Sequence, residues 1–214
     1  MNLGRLRSNL EGIRLRIRES CRRAGRRPEE VALIVVTKSV PPEAIPTLAA
    51  EGVSEIGENR AVEGLERVGG LRQFRRHMIG QLQTNKVKKA LRWAEVLHSV
   101  DREALVEELE RCRARIPVYV QVNVSGEPSK AGWRPEEAAA AVARARRTLD
   151  VAGLMTMAPE GGDARPQFRR LRELAERCGV PGLSMGMSQD FEAGVEEGAT
   201  AVRIGSAVFE GVLL

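Results

Sequence analysis

The stretch Val31-Ala-Leu-Ile-Val-Val-Thr37 decides how the rest of the chain is read. It is apolar up to Thr37 and rich in Val and Ile. A half-exposed strand alternates apolar and polar residues, whereas a strand covered on both faces, as in a parallel sheet, reads as a continuous run. The flanks carry a different period. Asn2 to Ala24 places Leu3, Leu6, Leu10, Ile13 and Ile17 at helical spacing with arginines between them, an amphipathic helix that Arg26-Arg27-Pro28 ends. Pro41-Pro42 opens a second helix through Ala50.

Further out, the alternation repeats. Strands are predicted near Val53–Ile56, Arg76–Ile79, Val96–Ser99, Val118–Val122, Asp150–Gly153, Gly182–Ser184 and Ala201–Ile204. Helices fall between them at Glu58–Val68, Thr84–Arg92, Arg102–Arg115, Pro135–Arg147, Ala164–Arg177 and Asp190–Glu197. With Val31–Thr37 the pattern holds eight strands. The expected fold is α/β: a single-domain (β/α)8 TIM-type barrel over residues 1–214 with an extra N-terminal helix. An open doubly wound sheet is the alternative.

Composition narrows the class. The chain has 214 residues, long enough for one sizeable core, and only 3% are aromatic, so that core is aliphatic. Its 34 Lys and Arg against 29 Asp and Glu give a net charge of +5, spread along the chain. No apolar run approaches the roughly 20 residues of a membrane span. Met1 to Arg18 has no apolar core of a secretory signal. Three isolated cysteines, Cys21, Cys112 and Cys178, exclude a disulfide scaffold and fit a reduced, cytoplasmic protein. No Cys/His spacing fits a zinc site. The basic run Lys86-Val-Lys-Lys89 with Arg92 lacks interleaved aromatics, which weighs against nucleic-acid binding. No long apolar patch is legible, so a monomer is expected.

Ligands of α/β folds bind at the C-terminal strand ends. Lys38 follows the first strand, on the face of Ile34 and Val36. If that face is the barrel interior, its ammonium is expected to be desolvated, which favours the neutral amine that attacks carbonyls; the alternative is a strand-end lysine reaching solvent. Leu183-Ser-Met-Gly-Met-Ser188 and Val202-Arg-Ile-Gly-Ser206 are small-residue turns at adjacent strand ends, suited to an anion. In a closed ring, strands one and eight are neighbours, so lysine and turns share one mouth. A lysine beside a phosphate cradle points to pyridoxal 5'-phosphate (PLP). Arg203 against the pyridine nitrogen would keep that nitrogen unprotonated, a poor electron sink.

These motifs resemble the pyridoxal phosphate homeostasis proteins, single-domain relatives of the alanine racemase N-terminal barrel. The likeness rests on Val36-Thr-Lys-Ser-Val-Pro-Pro42, Ile56-Gly-Glu-Asn59, His77-Met-Ile-Gly-Gln-Leu-Gln-Thr-Asn-Lys86, Gln121-Val-Asn-Val-Ser125, Ser129-Lys-Ala-Gly132, Gly153-Leu-Met155 and the two turns. It implies PLP held as a Schiff base on Lys38, with Ser188, Gly205 and Ser206 on the phosphate and Arg203 facing the ring nitrogen. Asn59, His77 and Met185 would line the pocket. It further implies a cofactor carrier or buffer without substrate turnover, with apo PLP-dependent enzymes as partners. The chain departs from the family's usual residues at Val40, Arg60 and Gln189. A PLP-dependent amino-acid racemase or lyase is the competing reading. It needs an acid/base on each face of the cofactor, and the only tyrosine, Tyr119, begins a strand, far from the mouth. A sugar-phosphate or RNA-binding barrel without cofactor is the third.

Overall fold

The computed structural model describes residues 1–128, 130–159 and 161–212. Ser129, quoted above in a motif, lies outside them. Eight parallel strands close into a barrel in chain order: β1 (Ala32–Val36), β2 (Glu55–Glu58), β3 (Arg75–Met78), β4 (Val96–Val100), β5 (Val118–Gln121), β6 (Val151–Met155), β7 (Gly182–Ser184) and β8 (Ala201–Ile204). The seam is β1 against β8, with Ala32 opposite Ala201 and Val35 opposite Ile204. Closure is what brings the two ends of the sequence to one mouth.

The helices are α1 (Leu3–Arg23), α2 (Ala61–Val68), α3 (Val87–Ala90), α4 (Glu103–Arg111), α5 (Ala138–Ala145), α6 (Arg165–Cys178), α7 (Phe191–Glu196) and α8 (Ser206–Phe209). In α1, Asn2 caps the first turn through its side chain, and Leu6, Leu10, Ile13 and Ile17 are buried, as their spacing predicts. α1 covers the outside of the seam. Asn9 donates to the carbonyls of Val208 and Glu210, and Arg16 and Arg23 pair with Glu192 and Glu196. The three cysteines are free.

Three expectations shift. The helix foreseen over Pro41–Ala50 is a 3-10 helix over Pro42–Ala49; Pro46 lies inside it, lacks an N–H and crowds the carbonyl four residues back. β2 starts two residues later than Val53, because Gly52 adopts φ +70° and Val53 N–H closes onto Leu48 O. The helix α8 after the last strand was not foreseen; at four residues it is too short to show a period.

Candidate functional site

The C-terminal strand ends open into a cleft of about 790 Å³. Of the residues expected at the site, Lys38, Asn59, Ser188, Arg203, Gly205 and Ser206 line it together. His77 and Met185 do not. Met185 is wholly buried and His77 is 3% exposed, inside the barrel below the cleft floor.

Lys38 reaches the cleft from a turn. β1 ends at Val36, so Lys38 lies past the sheet on the rim and is exposed rather than desolvated. Its turn is held from below. Arg67 of α2 donates to Thr37 O and Val40 O, at 2.8 and 2.5 Å. The same guanidinium pairs with Glu58, 3.2 Å away, whose Oε1 also accepts the Thr37 hydroxyl at 2.7 Å. Glu58 is buried, so this carboxylate has exchanged water for two donors that share its Oε1. Sequence reading noticed neither residue's role. The one signal was an acidic residue closing a strand otherwise bound for the core.

Opposite stand the two turns. Gly186 has φ +97°, and a Cβ there would lie 2.9 Å from Phe191 Cα, so only glycine lets α7 start this close to β7. The turn is tied by Met187 N–H donating to Asp190 Oδ1 at 2.6 Å. Ser188 Oγ accepts the Ala207 N–H at 3.3 Å, which joins the β7 turn to the β8 turn. Hydroxyls of Ser188 and Ser206 thus sit on one wall.

Arg203 forms the floor. It is 4% exposed, donating to Ser184 Oγ at 2.5 Å and to Thr156 O at 2.9 Å. Burial pushes its guanidinium down to about 10, against the opposing pull of Asp190, so it stays cationic at neutral pH. Lys130 also lines the cleft. Its Nζ lies 3.3 Å from Glu127 Oε1 but off the angle of a hydrogen bond, and is shielded from water. Among the described lining residues Lys38, Lys130 and Arg203 stand against one carboxylate, Asp190, so the cleft suits a small anion with a carbonyl. That donor set, an exposed amine and a shielded, unsatisfied ammonium beside two hydroxylic turns, fits a phosphorylated aldehyde. Among the described residues its lining holds no histidine, tyrosine or cysteine.

The sequence profile described as the alanine racemase N-terminal domain matches residues 2–211. The pyridoxal phosphate homeostasis protein of Aquifex aeolicus is 39% identical over 211 residues, 91% of this chain and 92% of that protein. The chain belongs to the pyridoxal phosphate homeostasis protein family. A solved structure of another protein, PipY from Synechococcus elongatus with PLP bound, superposes with a TM-score of 0.80 at 30% identity, over 95% of this chain and 99% of that one. Alanine racemase from Corynebacterium glutamicum shares the fold, with a TM-score of 0.70 at 18% identity. The match spans 98% of this homeostasis-family chain but only 61% of the racemase.

Tyr119 lies at the opposite end of the barrel from the cleft. Its ring stacks on His98 with centroids 4.6 Å apart. Burial pushes its phenol up, against the opposing pull of Thr200, the residue before β8.

Proposed function

We propose that this chain, as one domain, binds PLP as a Schiff base on Lys38 and serves as a cytoplasmic carrier or buffer of the cofactor, releasing it to apo PLP-dependent enzymes, without strong catalysis of its own. The observation that carries this is the meeting of Lys38, Arg203, Ser188, Gly205 and Ser206 at one cleft, from strand ends nearly the whole chain apart. Bound there, PLP would supply an aldehyde for the lysine amine. The hydroxylic turns would take its phosphate, and Arg203, a donor that cannot accept, would face its ring nitrogen. The homeostasis name of the relatives and the PLP in PipY support the assignment.

The reading without turnover is supported by what surrounds the amine. Moving a proton between two faces of a bound amino acid needs a second acid/base opposite the lysine. Beside Lys38 the cleft offers Asp190, which is engaged by the Met187 N–H, and Lys130, which lies beside Glu127, with no tyrosine or histidine among the described residues. Incubation with PLP, borohydride reduction and peptide mass mapping should label position 38, and Lys38→Ala should abolish both label and visible absorption band. A wild-type label found only on other lysines would refute the site. Proton exchange at the α-carbon of L- or D-amino acids at about 1 per second or faster would instead establish an enzyme.

A further inference from the structure

The chain has two histidines, and both lie inside the barrel in single file. Glu55, at the start of β2, lines a smaller cavity of about 340 Å³ at the end of the barrel opposite the cleft. Its Oε2 is 2.8 Å from His77 Nε2, close but off the angle of a hydrogen bond. His77 Nδ1 is 2.9 Å from His98 Nε2, and His98 Nδ1 is 2.7 Å from Ser184 Oγ. Ser184 Oγ in turn accepts from Arg203, the floor of the cleft. Barrel interiors are ordinarily filled with Val, Ile and Leu. Here five polar side chains connect one end to the other, at a desolvation cost that their mutual contacts must offset.

Proton placement along the file follows from its Arg203 end. Nitrogen or oxygen lone pairs cannot face each other at such distances without a proton between them. Arg203 can only donate, so the Ser184 hydroxyl is left to donate to His98 Nδ1. A neutral His98 then carries its proton on Nε2 and gives it to His77 Nδ1. His77 carries its own on Nε2, facing the Glu55 carboxylate. Burial alone would raise the Glu55 carboxyl, but the His77 ring and Arg75 hold it below the usual carboxylate range. Burial foremost, with the charge of Arg203 acting the same way, holds His98 well below an ordinary imidazole, which keeps it neutral. The Tyr119 ring, stacked at 16° on His98, fixes that ring's plane.

We propose that His77, His98 and Ser184 form a one-directional hydrogen-bond chain, with Glu55 in ionic contact at its far end, that positions the Arg203 guanidinium against the ligand's ring nitrogen, so that a carboxylate at the far end of the barrel sets the ligand's electronic surroundings. This rests on the cleft being a PLP site. The four are positioning residues; none lines the cleft.

Because the protein has no other histidine, 15N-histidine NMR of the ligand-free protein reads the chain alone. His98 should be neutral with its proton on Nε2; a His98 ring protonated only on Nδ1, or a cationic His98 at neutral pH, overturns the proposal. Ser184→Ala and Glu55→Ala should each weaken PLP binding roughly tenfold, the effect of one hydrogen bond to a charged group. Each should also shift the visible band while the label stays on position 38. Glu55→Gln, which keeps an acceptor for the Nε2 proton, should restore the wild-type band. A merely structural role would lower the melting midpoint and leave the band where it is. Unchanged affinity and band in the Glu55→Ala protein would sink the inference even if Ser184→Ala fails to fold. Failure of the wild-type protein to take up PLP would refute the reading of the cleft itself, before any variant is compared.

Discussion

Arg67 shows how much of the site is carried by a residue that never reaches the cleft. It holds two carbonyls of the Lys38 turn and neutralises Glu58, which is buried. Removing one partner of a buried ion pair strands the other. Arg67→Met should therefore cost about 3 kcal/mol, read in urea unfolding, and lower PLP uptake because the turn is released. Arg67→Lys should not restore either, since one ammonium cannot span two carbonyls and a carboxylate. At this scale the sequence was legible where chemistry sits on exposed turns. Lys38, Asn59, Arg203 and the Ser188 and Ser206 turns could be placed by spacing and motif, and the structure brings them to one cleft. It was not legible where a role depends on a tertiary partner. Nothing in the string says that His77 hydrogen-bonds His98 rather than facing the cleft, because residues 21 positions apart become neighbours only through strand register.

At the scale of elements, α4 and α5 are clamped at their surfaces by Arg144, which pairs with Glu103 and Glu110. Hydrogen bonds from Arg144 and Thr148 hold the Glu110 carboxyl at about 2 against an ordinary value of 4.5. A depressed carboxyl contributes stability above its unfolded value, and loses it as pH falls through the folded one. The pair is near the surface, so its contribution stays below about 1 kcal/mol. Arg144→Met should be slightly less stable than wild type at pH 7, and the difference should vanish as acid titrates the window from 4.5 to about 2. Thermal melts across that range check it. Strands were the readable elements, because a buried parallel strand writes its burial on both faces into Val and Ile. Short helices were less so. Pro42–Ala49 and Thr84–Lys86 wind as 3-10 turns; in the first the internal Pro46, rather than the apolar period, makes the choice.

The whole molecule depends on its seam. α1 lies across it with Leu10 fully buried, and ties itself to the segment after β8 through Asn9. Leu10→Ala should destabilise the protein by about 3 kcal/mol, measured by urea unfolding. PLP would still label position 38, since the cavity so made lies outside the barrel wall. β1 supplies the reacting amine and β8 the arginine and the phosphate turn, and the two strands pair directly. A growing polypeptide released from the ribosome as far as residue 200 already displays its lysine and the β7 turn, yet lacks Arg203 and the β8 turn. On the proposed reading, vitamin capture would be deferred until synthesis has passed Ser206, and a loaded molecule would be one whose translation ran through both edges of the ring.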